Sequence, residues 1–270
     1  AREKGYRSAL AVAALLAACC ALPAAARADA TPATSLLTFT PGQSWTWTLT
    51  GQLTPAGGGQ AVPLSGSMFE DVELLPFQGG STLAFVSTQT LLAGGAPLFG
   101  QAGPAAIFYF QQDPATQTVY VVGDNQGPDG AVRIPLQPVE FVPGQWSLNT
   151  SYDTALNFGP GDTEPLFLNV TGTTTVTTPL GNFAAWVAPN GATDPTGISH
   201  PGTDYWTPEL GVPAAFETSS VFPDGSTIQI AAALTGANLL GTTSVPEPAS
   251  IALLGCGLLG LAARRMVATL

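Results

Sequence analysis

Basic side chains are almost absent from the central part of this 270-residue sequence. Arg133 is the only Lys or Arg between Asp29 and Val245. The same region holds 16 acidic residues, because only Glu3 and Glu247 of the 18 in the chain lie outside it. Phosphate groups are bound by clustered Lys and Arg side chains, so this composition excludes a nucleic-acid partner. The absence of Lys and the scarcity of Glu also argue against a helical bundle.

Cysteine and histidine are equally rare. Cys19, Cys20 and Cys256 all lie in apolar runs near the two ends, and His200 is the only histidine. No Gly-x-Ser-x-Gly nucleophile motif accompanies His200, which we expect in an exposed loop. A disulfide framework and a thiolate or transition-metal site are therefore excluded from the central region. The sequence predicts no catalytic site, no cofactor and no metal, and hence a protein that is not an enzyme.

Carboxylates are the remaining candidates for chemistry. Glu70, Asp71 and Glu73 lie close together, but Glu70 and Asp71 point to opposite faces of a strand. We expect them on a solvated edge strand, where charge discourages pairing with another chain. A glycoside hydrolase is a distant alternative. Residues 123–130 lack the ligand spacing of a Ca²⁺ loop and predict a hairpin turn.

Alternating apolar and polar residues recur between turn sequences rich in Gly, Pro and Asp. Trp45, Trp47 and Leu49 alternate with threonines, which is typical of a strand with one buried face. No helical stretch separates such strands, so the sheet is expected to be antiparallel. We predict an all-β fold, with helical structure confined to a signal peptide and a hydrophobic tail at the two ends.

The central region also repeats itself. The segment FTPGQSWTW begins at Phe39, and FVPGQWSLN begins at Phe141, 102 residues later. FYFQQD and DYWTPE form a further similar pair, in the same order. This order indicates a tandem duplication, with a first β lobe at residues 38–135 and a second at residues 136–240.

The second lobe resembles a known type of domain. PLGNFAAWVA, YWTPELGVPAAFET and DGSTIQIAAALTG are similar to a β-sheet domain of secreted bacterial proteins of unknown function. Some relatives of that domain resemble the curved antiparallel sheets of periplasmic lipoprotein carriers, so the resemblance implies one or two curved sheets. Tyr205 and Trp206 are expected to be core aromatics, followed by a turn at residues 208–211.

The first 28 residues have the plan of a secretory signal peptide: a basic start, an apolar run and small residues. Ala26 and Ala28 form an A-x-A cleavage site for signal peptidase, which leaves Asp29 as the first residue of a short segment at 29–37. An alternative is lipidation at Cys19, because Leu-Ala-Ala-Cys resembles a lipobox. Both interpretations predict export.

The last 30 residues form a second targeting segment. A linker at residues 241–248 contains Pro246, Glu247 and Pro248, and the two prolines hold it extended. The segment at 249–270 begins with a Gly-rich, largely apolar span of 15 residues and continues with Arg264 and Arg265. As a helix, 15 residues span about 22 Å, which is short of the ~30 Å hydrocarbon core. A lasting membrane anchor is therefore a poor fit.

Pro-Glu-Pro, an apolar segment and an arginine pair resemble the PEP-CTERM sorting signal of exported proteins in Gram-negative bacteria. The resemblance implies recognition of Pro246, Glu247 and Pro248 by an exosortase-type membrane protease. It also implies transient inner-membrane insertion of the tail, with Arg264 and Arg265 as its stop signal. The residues MVATL after the arginines depart from the usual pattern.

Two functional hypotheses follow. The first is a non-enzymatic protein sorted to the cell surface or extracellular matrix, where the resemblance implies association with exopolysaccharide. The alternative is a periplasmic or outer-membrane protein that binds an apolar ligand in a curved sheet. This protein is either lipidated at Cys19 or not lipidated.

Overall fold

The structure, a computed structural model, describes residues 31–98, 105–126, 130–193 and 198–239. The expected signal peptide, linker and tail lie outside these residues, as do Cys19, Ala26, Ala28, Asp29, Pro246, Glu247, Pro248, Arg264 and Arg265. Among the described residues, no helix has the length and apolar character needed to cross a membrane.

Fourteen strands account for most of the described chain. They are β1 (Ser44–Thr54), β2 (Val62–Phe77), β3 (Gly80–Ala93), β4 (Ala96–Pro97), β5 (Ala106–Gln112), β6 (Val119–Asp124), β7 (Val139–Val142), β8 (Ser151–Gly159), β9 (Asp162–Asn169), β10 (Gly172–Thr178), β11 (Gly181–Thr193), β12 (Ser199–Thr207), β13 (Val212–Val221) and β14 (Thr227–Asn238). A 3₁₀ turn, Pro208–Leu210, separates β12 from β13.

All fourteen strands belong to one antiparallel sheet, which confirms the predicted fold class. The order across the sheet is β7-β6-β5-β3-β2-β1-β14-β13-β12-β11-β9-β8, with β4 beside β3 and β10 beside β11. Each half of the chain forms a meander, and the pairing of β1 with β14 joins the two meanders. The sheet curves until it nearly closes on itself, so one face is concave and encloses the core.

The curvature depends on glycines at which neighbouring strands approach closely. A Cβ atom at Gly51 would overlap the carbonyl oxygen of Gln229, and one at Gly66 would overlap that of Thr90. Only glycine fits where the backbone of an adjacent strand comes this near, and such positions are where sheets bend.

The concave face is built from the alternating residues that the sequence predicted. Trp45, Trp47 and Leu49 on β1 are buried, with exposed fractions of 1%, 1% and 0%. Trp206 is also buried and packs against Trp146 with ring centroids 5.0 Å apart. The expectation of a core aromatic is confirmed for Trp206, whereas Tyr205 is only partly buried and does not belong to the core. The turn at 208–211 is also confirmed, and Gly211 in it has a φ of 75°.

Residues 31–43 cross one end of the concave face and close it. The ring of Phe39 is buried and makes edge-to-face contacts with Trp45, Phe85 and Phe110. The backbone amide of Phe39 donates to Oε1 of Gln112 over 2.8 Å. This segment therefore seals the end of the sheet at which β5 turns into β6.

The two halves follow the same strand plan. The hairpins β2–β3 and β10–β11 each turn through two residues. A register shift lies between Tyr109 and Phe110 where β5 meets β6, and another lies between Tyr205 and Trp206 where β12 meets β13. These shifts fall in the segments FYFQQD and DYWTPE, whose similarity indicated a duplication. The boundary between two lobes at residues 135 and 136 stays a prediction.

Candidate functional site

An apolar cavity of about 400 Å³ lies on the concave face of the sheet. Strands from both halves supply its walls, and the cavity is rich in aromatic rings because the inward positions of these strands carry large apolar side chains. The aromatic residues of the cavity wall include Trp47, Phe85, Phe108, Phe141, Trp206 and Phe216. Volume and lining are those of a small-molecule binding site.

Glu70 on β2 points into this cavity. Its side chain is partly buried, and the surface that stays accessible belongs to the cavity wall. Burial, assisted by the charge of Asp71, raises the pKa of Glu70 from 4.5 to about 7. No side chain or backbone group of the described residues forms a hydrogen bond with the Glu70 carboxyl. An acidic group is thus held in an apolar chamber without a partner.

The expectation of a solvated edge strand at this position is wrong. β2 is paired with β1 over residues 62–71 and with β3 over residues 64–77, so Glu70 lies between two neighbouring strands. Glu70 and Asp71 do point to opposite faces, as alternation predicted, but the face of Glu70 is the enclosed one. The sequence alone could not reveal this, because the number of neighbours of a strand depends on the whole sheet order.

Asp204 on β12 is a second carboxyl in the cavity wall. Burial raises the pKa of Asp204 to about 6, against the opposing effect of hydrogen bonds from Asn190 and Trp206. The indole Nε1 of Trp206 donates to Oδ2 of Asp204 over 3.2 Å. The sequence did not identify Asp204 as a site residue, although its spacing of two residues from Trp206 places both side chains on the same face of a strand.

Tyr152 and His200 are two further polar residues in the cavity wall. The Tyr152 hydroxyl donates to the carbonyl oxygen of Phe141 over 2.6 Å, and burial raises the pKa of Tyr152. His200 lies on β12 opposite Ala192 of β11, with Nδ1 3.0 Å from the hydroxyl of Ser220. The expectation of an exposed loop histidine is therefore wrong: His200 is a partly buried strand residue that lines the cavity.

The two ends of the sheet meet at a seam between β7 and β8. The Tyr152–Phe141 hydrogen bond crosses this seam, and the amide of Leu136 donates to the carbonyl oxygen of Asn157 over 2.8 Å. Val139 and Leu156 pack together beside these bonds. Side chains thus close the wall of the cavity where strand pairing ends.

Arg133 forms a clasp on this seam. Its Nε and one terminal nitrogen each donate to a different oxygen of Asp124 on β6, both over 2.8 Å. Its other terminal nitrogen reaches Asp162 and Glu164 on β9, over 3.1 and 2.8 Å. The guanidinium carbon also lies 4.1 Å from the ring centre of Phe158. The single cation of the central sequence therefore links the two halves of the sheet.

The clasp also engages Asp124, the first carboxylate of the segment at residues 123–130. Both carboxylate oxygens of Asp124 are bound to Arg133, so this side chain does not offer a calcium ligand. Residues 127–129 lie outside the described chain. Among the described residues, no group of three His, Cys, Asp or Glu side chains is arranged to hold a metal ion.

Comparison with known proteins gives three results. No curated protein matches the sequence. A protein from Bacteroides fragilis NCTC 9343, described as exported and of YmcC-like fold, matches with 11% identity, 77% coverage of this chain, 100% coverage of its own chain and a TM-score of 0.39. A protein from Parabacteroides distasonis ATCC 8503, described as a lipoprotein, matches with 14% identity, coverages of 76% and 99%, and a TM-score of 0.37.

The third result concerns the tail. Residues 244–265 match the PEP-CTERM protein-sorting motif. This range contains Pro246, Glu247 and Pro248 as well as Arg264 and Arg265, the residues on which the resemblance was based. The motif supports exosortase-dependent export toward the cell surface. The chain thus carries a PEP-CTERM sorting motif that follows the residues of its curved β-sheet in the sequence.

Proposed function

We propose that this chain is an exported, non-enzymatic protein that binds an apolar ligand inside its curved sheet. The observation that carries the proposal is the aromatic cavity of about 400 Å³ on the concave face. Burying apolar surface is worth about 25 cal/mol per Å², so an apolar molecule of suitable size gains by leaving water for this chamber. The proposal combines the two hypotheses drawn from the sequence, a protein sorted to the cell surface and a protein that binds an apolar ligand.

The absence of catalysis is part of this proposal. Glu70 and Asp204 are the two carboxyls with strongly raised pKa values in the cavity. Raised pKa values also occur in catalytic acids, but a hydrolase needs a positioned nucleophile or water as well as an acid. The polar groups described here hydrogen-bond to the protein or, for Glu70, face an apolar chamber, which suits binding better than hydrolysis.

The route of the protein rests on its two targeting segments. We propose that signal peptidase cleaves before Asp29 and that residues 251–263 insert transiently into the inner membrane of a Gram-negative bacterium. An exosortase-type protease then recognises Pro246, Glu247 and Pro248. We further propose release to the cell surface or extracellular matrix, in association with exopolysaccharide; the matched motif supports the export step of this route. Intact mass of the exported protein distinguishes a chain that begins at Asp29 from one acylated at Cys19.

Ligand binding is tested with a neutral apolar probe. In 4-phenylbutanol about eleven non-hydrogen atoms are available for burial, and about 0.5 kcal/mol per atom gives a Kd on the order of 0.1 mM. Trp47 and Trp206 lie in the cavity wall, so the intrinsic fluorescence of the full chain reports occupancy. We expect a saturable change with one site per chain. No saturable binding up to the solubility limit of the probe would contradict the proposal.

A further inference from the structure

The polar groups of the cavity are arranged for a particular kind of ligand. Glu70 and Asp204 both contribute carboxyls to its wall, whereas none of the described lining residues is a Lys or Arg. Arg133 is engaged at the seam by three carboxylates and does not line the cavity. The described wall therefore offers two carboxyls, which carry negative charge once they ionise, and no Lys or Arg side chain to pair with them.

The aromatic walls favour the same kind of ligand. Trp47, Phe85, Phe108 and Phe216 come from four different strands, and all four contribute to the wall of the cavity. The face of an aromatic ring carries partial negative charge and attracts an organic cation, most strongly where water is excluded. Aromatic rings combined with buried carboxyls are complementary to a molecule that is both greasy and positively charged.

We propose that the cavity binds a hydrophobic organic cation, such as a protonated alkyl or aryl amine, whose ammonium group pairs with Glu70 and whose apolar part packs against the aromatic walls. This inference rests on the proposed function and adds the chemical class of the ligand. The ammonium supplies the hydrogen-bond donors that the Glu70 carboxyl lacks within the described protein, and charge-assisted hydrogen bonds of this kind are about twice as strong as neutral ones.

The size of the cavity limits the ligand. Its volume of about 400 Å³ corresponds to about thirteen units of the ~30 Å³ that a water molecule occupies in the liquid. An amine with about a dozen non-hydrogen atoms is therefore of a size that the cavity accommodates. The ligand belongs with small amphiphilic or aromatic amines.

Binding of the cation depends on the ionisation of Glu70. On its own strand, Asp71 and Glu73 lie near it, while the flanking strands β1 and β3 carry no titratable side chain. Asp204, Tyr152 and His200 face the same cavity from the far wall. Because burial raises the pKa of Glu70 to about 7, we expect amine affinity to rise as the pH increases from about 5 to about 8.

Three ligands with one apolar group test the inference on the full chain. They are 4-phenylbutylamine, 4-phenylbutanol and 4-phenylbutanoate, which are cationic, neutral and anionic at about pH 8. We expect the amine to bind at least about tenfold more tightly than the alcohol, a difference of about 1.4 kcal/mol, and the carboxylate to bind more weakly than both. The amine-to-alcohol preference should shrink toward unity at about pH 5, where Glu70 is protonated.

A matched pair of variants assigns the effect to Glu70. Glu70→Gln keeps the shape of the side chain but removes its charge, so we expect the amine-to-alcohol preference to be lost. Glu217→Gln is the control, because Glu217 is exposed on β13 and is not part of the cavity wall. We expect that variant to retain the preference. Circular dichroism checks that both variants fold.

The possible outcomes distinguish failure of the cation inference from failure of the proposed apolar-ligand function. If the alcohol binds but the amine shows no preference in the unmodified chain, the cation inference is wrong and the proposed apolar-ligand function stands. If none of the three ligands binds, both are wrong. A preference that survives in Glu70→Gln overturns the role of Glu70. If that variant does not fold, the comparison of three ligands at two pH values in the unmodified chain decides the question.

Discussion

Replacement of Arg133 by methionine removes the cation that links the two ends of the curved sheet. Methionine keeps an unbranched apolar stem that can lie against Phe158 but cannot bind carboxylates. The variant therefore isolates the charged contacts of the clasp. We expect the Arg133→Met chain to fold, with a free energy of unfolding lower by about 3–5 kcal/mol.

The magnitude follows from the burial of the charges. The side chain of Asp124 is 0% exposed and that of Arg133 is 13% exposed. Removing one member of a buried pair leaves the other charge without compensation, which costs about 3–5 kcal/mol, whereas an exposed pair contributes at most about 1 kcal/mol. Asp162 is 37% exposed, so its contact adds little to the total.

Urea unfolding measures this loss. With an m-value of about 3 kcal/mol per M, a loss of 3–5 kcal/mol lowers the midpoint by about 1–2 M. Arg133→Lys should recover only part of the loss, because an ammonium cannot bind both oxygens of Asp124 in the forked geometry of a guanidinium. Adding Asp124→Asn to Arg133→Met should also recover part, since it removes the uncompensated charge. A midpoint change below about 0.3 M in Arg133→Met would refute the reasoning.

Three further predictions concern other parts of the molecule. Between about pH 4.5 and 7 the folded chain keeps the Glu70 proton that the unfolded chain releases, so the unmodified protein loses about 3 kcal/mol of stability as the pH rises through this window. Glu70→Gln should therefore be more stable than the unmodified chain at about pH 8 and equally stable at about pH 4. A stability difference that does not change with pH in urea unfolding would contradict this prediction. Gly66→Ala should lower the free energy of unfolding by about 1–3 kcal/mol in the same assay, because the new Cβ overlaps the backbone of β3. Gly172→Ala is the control: no atom lies within 4 Å of its Cβ, so the free energy of unfolding should change by less than about 0.5 kcal/mol. Equal effects of the two substitutions would argue against glycine-dependent curvature. Glu247→Ala should leave folding unchanged and cause retention in the inner membrane, as seen by cell fractionation, and normal release of that variant would exclude the recognition role of Glu247.

Much of the fold could be predicted because strand patterns are local. The alternation around Trp45 and Trp47 identifies one buried face without any knowledge of neighbouring strands. Likewise, the sequence following Trp206 predicts a turn, since proline and glycine restrict the backbone by themselves. The fold class and the antiparallel arrangement follow from such local signals combined with the absence of helical connections.

The chemistry of the interior was less accessible because it depends on long-range arrangement. Glu70 carries the same local sequence whether β2 lies at an edge or in the middle of the sheet, yet only the second position encloses its carboxyl. The partners of Arg133 lie 9 and about 30 residues away, on strands from different halves of the sheet. His200 follows Gly and Ser residues typical of a loop, but pairing between β11 and β12 continues through it.

The most direct test of the central claim is to fill the cavity. Ala192 on β11 lines the chamber, whereas Ala231 on β14 is exposed on the opposite face of the sheet. We predict that Ala192→Trp abolishes saturable binding of 4-phenylbutanol, measured by calorimetry, with circular dichroism unchanged. Ala231→Trp should bind as the unmodified chain does. Equal binding by the two variants would contradict the claim that the interior of the curved sheet is the ligand site.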